Sequence, residues 1–128
     1  MAPAGGHYSH AVRSGDLVFL SGQLPISPDG RRLTDKNFEA QARQVLANLA
    51  AALRAAGGSV AELVQVRVYV VDINDWPLFD RLYSEWMGRH RPARAVVPVP
   101  ALHYGFRIEV EAVAAVTKKH TSLPEILA

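Results

Sequence analysis

The feature that most constrains this chain is a switch in hydrophobic period. Phe38, Ala42, Val45, Leu46, Leu49, Leu53 and Ala56 recur at helical spacing, with Glu39, Arg43, Gln44 and Arg54 mostly off their stripe. Soon afterwards the period drops to two. Val64, Val66, Val68 and Val70 share one face, and Gln65, Arg67, Tyr69 and Val71 share the other. An amphipathic helix of about five turns followed by a strand with one dry face places the chain in a mixed α and β class.

The same logic extends both ways along the sequence. Tyr8–Val12 and Leu17–Leu20 flank the turn signal Ser14-Gly15-Asp16 and predict a hairpin. Pro25, Pro28 and Asp29-Gly30 mark residues 24–36 as a loop. Thr34 or Asp35 is expected to cap the first helix, and Gly57-Gly58 to end it. Ser59-Val60-Ala61-Glu62 has capping-box spacing. After the strand at 64–72, Asn74 or Asp75 is expected to cap a second helix. Pro77 suits its first turn, where an N–H has no intrahelical acceptor. Trp76, Phe79, Leu82, Tyr83 and Trp86 give that helix its apolar side, and Gly88 ends it.

Arg94–Leu102 and Phe106–Val116 then read as two strands around His103-Tyr104-Gly105, with Pro98 and Pro100 demanding a free edge or a special neighbour for the first. Residues 1–6 are expected as a loose end. The tail at 117–128 is polar and then apolar, and receives no element. The order β-β-α-β-α-β-β predicts an α+β fold in one domain, 1–128, with a mixed sheet and two helices packed on one face. The other face is left uncovered, and an apolar patch of that size points to self-association.

Composition excludes several classes. With no cysteine, thiol nucleophiles, disulfides and thiolate metal sites are ruled out. Lys plus Arg number 14 against 12 Asp plus Glu, a balance too even for a nucleic-acid footprint. The longest apolar run, Ala95–Leu102, is far short of the ~18 residues of a membrane span. The first residues have neither the basic start nor the apolar middle of a signal peptide. The expectation is therefore a cytoplasmic protein without membrane or nucleic-acid partners. His7 and His10, three apart, have no accompanying carboxylate cluster and read as surface histidines, so no metal is expected.

No nucleophile elbow, P-loop or dinucleotide fingerprint occurs. Three weaker features remain. Ser21-Gly22-Gln23 closes the hairpin, where glycine permits either a bulge or a close backbone approach to a ligand. Arg94 opens an otherwise apolar strand and would grip a carboxylate in a cleft. Glu109 lies on a charged strand face and, if partly buried, could activate water. In a simple hairpin Arg94 and Glu109 would be offset by ~14 Å, so they would bracket a site without touching, a constraint that a site shared between subunits relieves.

Taken together, Tyr8-Ser9-His10-Ala11-Val12, Gly15-Asp16-Leu17-Val18-Phe19, Ser21-Gly22-Gln23-Leu24-Pro25, Val71-Asp72-Ile73-Asn74-Asp75, Arg91-Pro92-Ala93-Arg94 and Ile108-Glu109-Val110-Glu111-Ala112 resemble the Rid family of reactive intermediate deaminases, also labelled YjgF or endoribonuclease L-PSP. The resemblance runs from about Tyr8 to Val116. It implies a chorismate-mutase-like fold and a homotrimer with three intersubunit clefts. It also implies cofactor-free hydrolysis of 2-imino or 2-enamino acids, such as 2-aminoacrylate, to 2-keto acids and ammonia.

By position, the resemblance makes Arg94 the carboxylate anchor, Glu109 the residue that positions water, and Tyr8 a wall of the cleft. Ser21 and Gly22 sit at the backbone contact, Val96 stands where Cys or Thr is common, and Asp80 stands where Asn is usual. Ala95, Pro98, Pro100, Trp76, Trp86 and the His103-Tyr104-Gly105 turn also depart from the family pattern and bear on the substrate. Three other readings stay open: a non-catalytic, carboxylate-binding or regulatory trimer, a pathway-specific enamine deaminase of the 2-aminomuconate type, and the older ribonuclease label.

Overall fold

The computed structural model describes residues 1–117 and 125–127. Strands β1 (Ala11–Ser14) and β2 (Leu17–Gln23) form the first hairpin, turned at Gly15 with φ 62°. Helix α1 (Phe38–Ala55) follows, then β3 (Leu63–Val70), α2 (Trp76–Met87), β4 (Ala93–Pro98), β5 (Ile108–Ala115) and the short β6 (Glu125–Leu127). The sheet order is β4-β3-β5-β2-β1-β6, and among the described residues only β3 and β4 pair in parallel. The fold is α+β with a mixed sheet and both helices on one face, as the periodicities predict.

The helical stripe read from the sequence is the core. Val45, Leu49 and Leu53 of α1 are fully buried, as are Phe79 of α2, Val66, Val68 and Val70 of β3, and Ile108 and Val110 of β5. Each such side chain contributes roughly 1.5–3 kcal/mol through burial. Arg13, only 1% exposed, lies within this interior. Its guanidinium donates to the carbonyls of Gly15 (3.1 Å), Val116 (2.8 Å) and Ala56 (3.2 Å).

Several boundaries differ from expectation. The first strand starts at Ala11 rather than Tyr8, because Tyr8 turns back onto Gly6 through its own N–H. Helix α1 starts later than Thr34 or Asp35 allow. The Thr34 hydroxyl is committed to the Tyr104 carbonyl, so Asn37 caps instead, accepting from the Ala40 N–H at 2.9 Å. The capping box at Ser59 and Glu62 forms as expected. Neither Asn74 nor Asp75 makes a side-chain cap on α2. Asp72 instead caps the 3₁₀ turn that precedes it.

Val64 is the exception on its strand. A register shift between Leu63 and Gln65 turns Leu63 inward and leaves Val64 exposed. The largest correction concerns topology. β4 and β5 do not form a hairpin, since β3 lies between them. The residues joining them end in a 3₁₀ turn, His103–Gly105.

Of the first six residues, expected as a loose end, Met1, Ala2, Pro3, Gly5 and Gly6 line a cavity, with the Ala2 carbonyl bonded to His10. The expected 117–128 tail falls mostly outside the described residues. Among the described residues no helix is long and apolar enough to cross a membrane.

Candidate active site

The sheet face opposite the helices carries the groups of interest. Tyr69 and Arg67 on β3 pair in register with Glu109 and Glu111 on β5. The Tyr69 hydroxyl donates to Glu111, which holds the phenol proton more firmly and raises the Tyr69 pKa. Arg67 stands 3.9 Å from the same carboxylate. Glu111 is thereby engaged. Its neighbour Glu109 is not: among the described residues it has neither a hydrogen bond nor an ion pair.

Glu109 is half-buried, and that burial raises its carboxyl pKa. The nearby His103 works against the shift and Glu111 adds to it. A carboxyl group without a fixed partner, its hold on a proton strengthened by burial where it lines a cavity, is the arrangement expected of a general acid or base.

The local fold explains why Glu109 is reachable. β2 is irregular between Leu20 and Gln23, where its pairing with β5 slips. Gly22 occupies this bulge directly over Glu109. A Cβ there would lie 2.1 Å from Glu109 Oε2 and 2.9 Å from its Cδ, so only a glycine lets the carboxylate occupy this position. The bulge reading of Ser21-Gly22-Gln23 is what the structure shows, with the close approach made to Glu109. The glycine makes a bulge, and the bulge makes room for a functional group. Ser21 donates its hydroxyl to the Ser9 carbonyl at 2.6 Å, fixing the rim beside it.

Glu109, Gly22, Ser21 and Tyr8 line one cavity of about 580 Å³. Tyr8 is exposed at its mouth, edge-on to the His10 ring at 6.1 Å. His10 was expected on the surface but is 7% exposed. One ring nitrogen, Nε2, lies 2.9 Å from the Ala2 carbonyl and the other, Nδ1, 3.2 Å from Gln23 Nε2. Since the carbonyl can only accept and the amide nitrogen can only donate, Nε2 carries the proton. His103, Tyr104 and Arg32 also line this cavity. The sequence singles out the 103–105 segment as a turn between strands and as a family departure, with no site role. It passes over Arg32, which sits in a loop with no periodicity to single it out.

Arg94 lies elsewhere. It pairs in register with Val66 and so faces α2 from the outer strand, over the rings of Tyr83 (5.1 Å) and Trp76 (5.8 Å). Its Nη1 donates to Asp80 Oδ1 at 2.7 Å, and the Arg94 side chain is 24% exposed. Arg94, Asp80 and Tyr83 line a second cleft of about 440 Å³. Tyr83 beneath them is buried, its pKa pushed up to about 12 chiefly by burial, and its hydroxyl has no hydrogen-bond partner among the described residues. Val96, two residues along β4, packs partly buried against the core.

Arg94 and Glu109 thus sit on opposite faces of the sheet. Their partners Val66 and Tyr69 are three residues, or ~10 Å, apart along β3. Within one chain they do not meet. Among the described residues no group of three or more His, Asp or Glu is placed to hold a metal ion.

Comparison with known proteins decides the family. The Endoribonuclease L-PSP family model matches residues 1–116. The chain belongs to the endoribonuclease L-PSP, or Rid/YjgF, family. The human 2-iminobutanoate/2-iminopropanoate deaminase is 37% identical over 109 residues, covering 85% of this chain and 80% of that protein. The RidA structure from the Antarctic bacterium Psychrobacter sp. PAMC 21119 superposes with a TM-score of 0.85 at 37% identity, covering 90% of this chain and 94% of that one. The E. coli TdcF structure, with bound serine, gives a TM-score of 0.84 at 33% identity, covering 90% and 92%.

Proposed function

We propose that this Rid-family chain hydrolyses 2-imino and 2-enamino acids to 2-keto acids and ammonia, in clefts formed between the protomers of a homotrimer. The observation that carries the reading is Glu109, an unpartnered, half-buried carboxyl with a raised pKa under Gly22. The human relative's name as an iminobutanoate and iminopropanoate deaminase supports the substrate class.

The chemistry asks little of the protein. The imine carbon is already electrophilic, so no covalent nucleophile is required. Arg94 binds the substrate carboxylate through its planar fork. Glu109 holds a water against the imine carbon and accepts its proton as the carbon–oxygen bond forms. The resulting carbinolamine takes the proton back from Glu109 on nitrogen, and as the carbon–nitrogen bond breaks Glu109 accepts the hydroxyl proton, so that the carbonyl forms and the departing ammonia carries that proton away. An enamine enters the same route once its β-carbon is protonated. Tyr8 and Ser21 shape the wall and fix orientation, which is where much of the acceleration arises. Gly22 supplies the close backbone approach, and Val96 does the same from β4. Asp80 sets how freely Arg94 can turn to its ligand.

The same geometry supports the trimer. Arg94 and Glu109 open to different sides of one chain, so a site using both needs the second from a neighbour. The uncovered sheet face offers Leu17, Phe19 and Val97, 41%, 46% and 39% exposed, as the surface to be covered.

The test is release of ammonia and keto acid from enzymatically generated 2-imino acids with small, branched and aromatic side chains. Wild-type turnover that collapses in Arg94→Ala is the expected result. No acceleration over spontaneous hydrolysis by wild type overturns the reading.

A further inference from the structure

The Glu109 cavity holds a cation that the mechanism above leaves unused. Arg32 lines this cavity, with its guanidinium 3.6 Å from the centroid of the Tyr104 ring. Among the described residues it has no carboxylate partner. It is nevertheless held in place. An isolated antiparallel bridge ties Arg32 to Ile26, and the next residue, Leu33, donates its N–H to the Pro25 carbonyl at 3.0 Å.

The platform beneath it is fixed from three sides. Tyr104 has φ 57°, a left-handed conformation that a bulky residue keeps only where its surroundings impose it. Its carbonyl accepts from the Thr34 hydroxyl at 2.9 Å. Its ring stands edge-on to buried Phe106 at 5.6 Å and 79°. Gly105 follows at φ 73°, where a Cβ would press on Thr34 at 3.3 Å. Positions of this kind cluster at ligand sites. Stacking uses the face of a guanidinium and leaves its in-plane N–H groups free for two parallel bonds to a carboxylate.

We propose that Arg32, stacked on Tyr104, anchors a second anionic group of the substrate, so that the preferred substrates are 2-imino or 2-enamino acids bearing a further carboxylate. The inference rests on the deaminase reading and narrows its substrate class. The charge layout fixes one orientation. Glu109 repels a second carboxylate, Arg32 attracts it, and Arg94 of another protomer takes the first. The cavity, at about 580 Å³, has room well beyond a three-carbon imino acid.

The experiment compares imines generated in situ from acidic and from aliphatic amino acids, using wild type, Arg32→Gln, Tyr104→Phe and Tyr104→Ala. Wild type is expected to favour the acidic class in kcat/KM by ~10-fold or more, the usual worth of a charge-assisted pair. Arg32→Gln and Tyr104→Ala should bring that ratio close to one, chiefly through KM, while Tyr104→Phe preserves it. Calorimetric binding of 2-oxoglutarate against 2-oxobutanoate gives a second readout with the same expected dependence. Equal rates for the two classes, or an unchanged ratio in Arg32→Gln, overturns the inference and leaves deamination standing. If no imine is accelerated, deamination fails and the binding arm decides. An Arg32-dependent preference for the dicarboxylate supports the subsite, and its absence overturns it.

Discussion

Replacing Gly22 by alanine separates what the fold needs from what the site needs. The added methyl carbon would start 2.1 Å from Glu109 Oε2, and ordinary contact begins at 3.4 Å, so the carboxylate must retreat by about 1.3 Å. The obstacle is the end of a flexible side chain and not backbone, so the fold can yield. An off-rotamer glutamate costs about 0.5–1.5 kcal/mol. Removing a glycine's freedom from the unfolded chain returns ~0.4–1 kcal/mol. Net stability should therefore change by less than about 1 kcal/mol, a shift of a few degrees in Tm for a chain of this size. Catalysis has no such latitude, because a displacement of ~1 Å can cost ~10²-fold in rate. Thermal denaturation and keto-acid release, measured on the same preparation, should show a nearly unchanged Tm and kcat/KM lower by about two orders of magnitude. Full activity in a folded Gly22→Ala protein would refute the placement of Glu109 as the working carboxylate. A collapse in Tm would refute the premise that its side chain can move aside.

Three further outcomes follow from the same geometry. Because burial raises the Glu109 pKa above its ordinary 4.5, the folded chain binds this proton more tightly than the unfolded chain, and stability falls as pH rises from that value to the raised folded one. Glu109→Gln should remove this fall, be the more stable protein at neutral pH in urea titrations, and lose turnover along with the acid limb of the pH–rate profile. Asp80→Asn breaks an ion pair open to solvent and worth about 0.2–1 kcal/mol, so Tm should scarcely move while Arg94 is released and KM falls by up to ~5-fold; an unchanged KM would show that Asp80 does not restrain Arg94. Phe19→Arg places a charge on the uncovered sheet face, and light scattering should then report monomers that keep their circular dichroism and lose activity.

How much of this was legible depends on range. The period-3.6 stripe from Phe38 to Ala56 and the alternation through Val66, Val68 and Val70 identified helix, strand and buried face correctly, because those signals are local and repeat. Val64 was misread because a one-residue register shift reverses a side chain without disturbing the letters around it. The β4–β5 hairpin was misread because two strands consecutive in sequence usually pair, whereas here the parallel β3–α2–β4 crossover places β3 between them. The family resemblance assigns roles to Glu109, Gly22, Ser21 and Tyr8, and these line one cavity. It assigns one to Arg94 as well, which faces away, because strand register and not sequence spacing sets the face. Arg32 and Tyr104 carry no periodic signal. Their contact joins two loops more than 70 positions apart, and only folding brings them together.

Arg13 adds a constraint on the order of events during synthesis. Its side chain leaves the first hairpin and donates to carbonyls 43 and 103 positions further along. While a chain is made from its N-terminus, the hairpin and α1 exist long before Val116 emerges. Until then the guanidinium has water where it later has a backbone carbonyl, and β2 lacks β5, which the finished sheet inserts between it and β3. The early half therefore cannot seal on itself. Its closure is deferred to the arrival of β5, so this sheet is completed only once Val116 has emerged.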